Sequence, residues 1–75
     1  MNGITEERLL GILEYVKDNE ALPELSTHED EQLVGRNKLV WDYEVWSRGY
    51  WLTDKGVDWM TSLRNANIQP ENVEN

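Results

Sequence analysis

Leu9, Ile12, Leu13 and Val16 recur at the i, i+3, i+4, i+7 spacing of one buried helical stripe, so the chain opens on a helix. Thr5 stands where an N-cap belongs, and Glu6 and Glu7 suit the positive end of the helix dipole. Ile4 and Leu9 are spaced as a hydrophobic staple across that cap. The pattern fades at Asp18 and Asn19, and Pro23 limits Glu20 to Leu25 to a single turn or a tight connection. Ser26 and Glu29 then have the spacing of a capping box, with Leu33 and Val34 as buried anchors. This second helix is short and ends at Arg36–Asn37, where Asn suits the left-handed conformation that closes helices.

From Leu39 the period changes to two. Leu39, Trp41, Tyr43 and Val45 alternate with Val40, Asp42, Glu44 and Trp46, the rhythm of a half-buried strand. Ser47–Arg48–Gly49 supplies a turn and Tyr50–Trp51–Leu52 a short return strand, which completes a β-hairpin. Thr53 caps a third helix, Leu52 and Val57 staple it, and Val57, Met60 and Leu63 mark its buried stripe with Trp59 on the flank. Gly56 costs about 1 kcal/mol of helix propensity, which points to a close backbone approach at that position. From Asn65 the composition turns to Asn, Gln, Pro and Glu. The expected organisation is a single domain over 1–66 and a disordered polar tail over 67–75.

Composition narrows the function. The 75 residues carry a net charge of −8 and contain no cysteine, which excludes disulfide scaffolds and zinc–thiolate fingers. No apolar run has the length of a membrane span, and the opening Met-Asn-Gly-Ile-Thr-Glu-Glu lacks the basic and apolar regions of a signal peptide. A cytoplasmic location is therefore expected. The single histidine, His28, has only Ser26, Thr27 and acidic residues beside it, and adjacency in sequence builds no catalytic triad. Glu29, Asp30 and Glu31 lack the glycine and ligand spacing of a calcium loop. The expectation is a protein that is not an enzyme, with no metal or other cofactor.

The order helix, short helix, strand, turn, strand, helix, joined at Trp51-Leu52-Thr53-Asp54-Lys55-Gly56, resembles the C-terminal half of winged-helix domains. The resemblance covers about 32 residues well and the first helix loosely. It implies an α+β fold: a small winged-helix-like domain of three helices with a two-stranded β-hairpin between the second and third. Only about 20 residues separate Asp18 from Leu39, so the middle helix of such a domain shrinks to a turn near Ala21–Leu25, or the fold is a reduced relative. In helix-turn-helix proteins the start of the recognition helix approaches the bases. Here that start reads His28-Glu29-Asp30-Glu31, whose carboxylates have the wrong sign for phosphates.

Four Trp and three Tyr, with no Phe, concentrate on the hairpin, and a hairpin packed on helices buries only one face. A two-residue turn at Ser47–Arg48 places Tyr43, Val45, Tyr50 and Leu52 together and sends Trp46 and Trp51 to the opposite face; this register gives the more apolar core face. A three-residue turn closing through Gly49 groups Trp41, Tyr43 and Trp51 instead. The functional expectation is a non-enzymatic protein-binding module. Trp46, Trp51 and Arg48 make the contact, and Glu29, Asp30 and Glu31 steer a partner with a basic surface. Small acidic winged-helix-like proteins of phages and mobile elements modulate host proteins. The resemblance therefore implies a small regulator or inhibitor of a host transcription or DNA-binding protein, acting as monomer or homodimer. The alternative is a winged-helix DNA-binding transcriptional regulator that sets Arg36, Lys38 and Arg48 on phosphates.

Overall fold

The computed structural model describes residues 1–41 and 49–73. Helix α1 spans Glu6–Asn19; α2 spans Thr27–Asp30 and continues without a break into a π-helical stretch, Glu31–Arg36. Strand β1 is Val40–Trp41, β2 is Trp51–Leu52, and α3 is Asp54–Asn65. Among the described residues this makes three helices, with a two-stranded antiparallel sheet between the second and third, in a small α+β domain. The arrangement is compatible with a winged-helix-like fold. No helix among the described residues is long and apolar enough to cross a membrane.

The caps read from the sequence form as expected. Thr5 Oγ1 accepts the Arg8 amide at 3.1 Å, and Ile4 and Leu9 are both buried. Ser26 and Glu29 close a reciprocal capping box, Glu29 N–H to Ser26 Oγ at 3.1 Å and Ser26 N–H to Glu29 Oε1 at 3.0 Å. Helix α1 forms the centre of the core. Leu10 and Gly11 are buried with the expected Leu9, Ile12, Leu13 and Val16, because α1 is covered from more than one side. Helix α3 crosses one side of it and β2 another.

A third layer over α1 comes from the segment that composition marks as a disordered tail. The Glu71 amide donates to the Glu7 carbonyl at 2.8 Å, Ile68 packs on the core and Val73 is buried. The expected boundary at 66/67 therefore differs from the packing, which runs through residue 73. The physical reason is Gly11. With no side chain there, the backbone of Glu71 reaches the helix surface, and a β-carbon would overlap the Glu71 carbonyl. Ile68 and Val73, the Glu71–Glu7 hydrogen bond and an Arg8–Glu71 ion pair at 3.8 Å hold this polar segment in place.

Residues 20–25 form no helix, as the short spacing requires. Instead Glu20 takes a left-handed conformation (φ 52°), and its carbonyl accepts the Tyr50 amide at 3.0 Å, which ties the end of α1 to the return strand. The second helix ends differently from the sequence reading. Asn37 stays right-handed at φ −94°, and the left-handed residue is Lys38 at φ 54°. The Asn37 side-chain amide instead closes the helix end by donating to the Gln32 carbonyl at 2.8 Å, beside the i→i+5 bond from its own backbone at 3.0 Å.

Candidate interaction surface

The described part of the hairpin pairs Val40 with Leu52 and Trp41 with Trp51. Successive side chains on a strand alternate between faces, so Val40 and Leu52 turn to the core while Trp41 and Trp51 share the opposite face. Val40 is buried, and Trp41 is 52% exposed. Trp51 is half-buried. This pairing differs from the two-residue-turn register, whose alternation would set Trp41 on the face of Leu52; its turn, Ser47–Arg48, and Tyr43 and Val45 lie outside the described residues. The observed pairing groups Trp41 with Trp51, as the three-residue turn does. Its cause lies at the other end of the hairpin: Leu39 and Thr53 fasten the strand ends to the helices.

That fastening is dense. The Leu39 amide donates to the Leu33 carbonyl at 2.8 Å, and the Thr53 amide donates to the Leu39 carbonyl at 3.1 Å. Thr53 Oγ1 donates to the Lys38 carbonyl at 2.5 Å and accepts the Gly56 amide at 3.0 Å, which makes Thr53 both the α3 cap and a brace to the end of the π-helical stretch. Gly56 lies directly against the Leu39 carbonyl, the close approach that its place in a helix predicts. The inward positions of Val40 and Leu52 follow, and Trp41 is left facing outward.

Between the π-helical stretch, β1 and the first turn of α3 runs a groove of about 670 Å³. Val34 and Trp41 supply its exposed apolar surface, with the buried Val40 beneath, Gly35 and Thr53 complete the lining, and Lys38, Asp54 and Lys55 bring charge to it. Val57, expected in the buried stripe of α3, is 44% exposed; the stripe is Gly56, Met60 and Leu63. The register of α3 is set by Gly56 against Leu39, and that turns Val57 outward.

Charge is distributed unevenly. Arg8 holds Glu29 through two bonds, Nε to Oε2 at 2.8 Å and Nη2 to Oε1 at 3.1 Å. Arg64 meets Glu14 at 3.0 Å. The hydrogen bond from the Arg8 guanidinium draws the Glu29 carboxyl below its ordinary range, partly opposed by burial. Lys38 and Lys55, 17 positions apart in sequence, meet at the groove, and neither forms an ion pair among the described residues.

Of the residues expected to make protein contacts, Trp51 lies on the outer hairpin face, while Trp46 and Arg48 lie outside the described residues. Asp30 and Glu31 are exposed on the second helix, and neither enters an ion pair among the described residues. Glu29 does not stand free beside them, because its carboxylate closes the capping box and binds Arg8. Of the cations assigned to DNA phosphates, Arg36 is exposed and Lys38 lines the groove. The sequence expectation gave no contact role to Trp41 or Lys55 and took Val34 as a buried anchor, whereas Val34 is only half-buried and lines the groove.

His28 is exposed, with Nε2 donating to the Asn2 carbonyl at 2.8 Å. Among the described residues no group of three or more His, Cys, Asp or Glu side chains is placed to hold a metal ion. No protein-family model, curated protein or solved structure matches the chain.

Proposed function

We propose that this chain is a non-enzymatic protein-binding module whose contact surface is the outer hairpin face and the adjoining groove. The observation that carries the reading is Trp41, half exposed on a strand, opposite Trp51 and on the wall of an apolar groove. Large aromatic side chains at such positions dominate the energetics of interfaces, because they bury much area at little entropic cost. The net charge of −8, with Asp30 and Glu31 exposed, favours encounter with a partner that has a basic surface. A winged-helix-like arrangement with that charge fits a small regulator or inhibitor of a transcription or DNA-binding protein.

The test compares the wild-type chain with Trp41→Ala as baits in a lysate capture, each with and without nuclease. A protein retained stoichiometrically after nuclease by the wild type, and lost with Trp41→Ala, is the expected result. Material that nuclease removes from both baits overturns the reading and favours the DNA-binding regulator. Since Trp41 is 52% exposed, Trp41→Ala keeps the fold, and an unchanged thermal midpoint is the control.

A further inference from the structure

We infer that the groove between the π-helical stretch, β1 and α3 receives a short segment of the partner protein that carries apolar anchors flanked by carboxylates. The inference rests on the protein-binding reading and names the chemistry of what the groove holds. Its exposed apolar surface comes from Val34 and Trp41, so the occupant contributes apolar side chains. Its charged lining reverses the sign of the chain. Two ammonium groups, Lys38 and Lys55, stand there against one carboxylate, Asp54, on a protein whose net charge is −8. Asp54 occupies the first turn of α3, where the helix dipole offsets part of its charge. Among the described residues the two lysines enter no ion pair, whereas Arg8 and Arg64 are committed to Glu29 and Glu14.

Lys38 adds a second observation. It holds φ 54°, in the left-handed region that favours glycine, with its carbonyl accepting from Thr53 Oγ1. The backbone at the groove mouth is thus fixed by Thr53, and the ammonium starts from a braced position. The acidic surroundings and the basic groove together give an alternating pattern, which sets register and rejects partners of uniform charge.

The probes are three labelled twelve-residue peptides with the same Leu and Trp anchors, flanked by Glu, Ser or Lys, read by fluorescence anisotropy. On the wild type the Glu-flanked peptide binds at least about tenfold tighter than the Lys-flanked one, although the net charge of the protein favours the opposite order. The double variant Lys38→Glu with Lys55→Glu, both exposed positions, inverts the order. Gly35→Trp fills the groove and abolishes binding; a β-carbon at Gly35 meets nothing within 4 Å, and an unchanged thermal midpoint is the control for the larger side chain. Equal or tighter binding of the Lys-flanked peptide, no binding of any peptide, or indifference to Gly35→Trp overturns the inference. Displacement of the Glu-flanked peptide by duplex DNA, reversed in the Lys38→Glu, Lys55→Glu variant, overturns it in favour of nucleic acid. A lysate partner that is lost with Trp41→Ala but kept by the lysine variant shows the protein-binding reading standing while this one falls.

Discussion

Gly56 lies so close beneath the carbonyl of Leu39 that a β-carbon at position 56 would overlap it. This contact sets α3 against the second helix and the hairpin at once, because the Leu39 carbonyl also accepts the Thr53 amide. Backbone on one side and a helix on the other cannot yield as a flexible side chain would.

Gly56→Ala is therefore expected to destabilise the domain by about 3 kcal/mol, although alanine is the better helix former. Gly35→Ala, where the added carbon meets nothing within 4 Å, is expected to gain about 0.5–1 kcal/mol. Urea midpoints of the two variants, measured side by side, check the pair. Equal effects would show that Gly56 is not held against Leu39.

Removing the Arg8–Glu29 pair tests the tie between α1 and the second helix. Glu29→Gln is expected to cost about 1–2 kcal/mol near neutral pH, since a partly buried charged hydrogen bond is lost. The folded-state pKa of Glu29 lies below its ordinary 4.5, so the contribution is complete above that value and is lost as pH falls through the lowered one. Wild type and Glu29→Gln should thus converge in stability as the solution is acidified. Urea titrations at about pH 7 and about pH 3 measure the gap.

Lys38→Gly is expected to stabilise the fold by about 1 kcal/mol, because φ 54° carries a cost for lysine that glycine does not bear. The same change removes one of the two groove cations. A variant that gains thermal stability and loses affinity for the Glu-flanked peptide would separate the two roles of the position.

Gly11→Ala should release the C-terminal strap while leaving α1 helical. The new methyl meets the Glu71 carbonyl, and up to about 1 kcal/mol of helix propensity is gained in exchange. Amide hydrogen exchange is the readout: the Glu71 amide, bound to the Glu7 carbonyl at 2.8 Å, loses protection while the amides inside α1 keep theirs. Unchanged protection at Glu71 would mean that the strap does not depend on the absent side chain at position 11.

The helices and their caps were legible because they depend on neighbours in sequence. Thr5, the Ser26–Glu29 box and the Thr53 cap each satisfy amides three residues away, and the stripe of α1 follows from helical spacing alone. Gly56 was legible for a related reason, since a glycine inside a helix is costly without a close neighbour. The identity of that neighbour, Leu39, was not.

What the sequence by itself determined is the order of elements, the three helix starts, the apolar stripe of α1 and the strong negative charge. Only the tertiary structure decided which tryptophan faces outward, because a one-residue change of strand register exchanges the two faces and both registers satisfy the same alternating pattern. It also decided that Val57 is exposed and that residues 67–73 pack on α1, outcomes set by backbone contacts at Gly56 and Gly11 between distant segments. The meeting of Lys38 and Lys55 belongs to the same class. A local charge of reversed sign on an acidic chain is made by folding, which sums charge over space and not along the sequence.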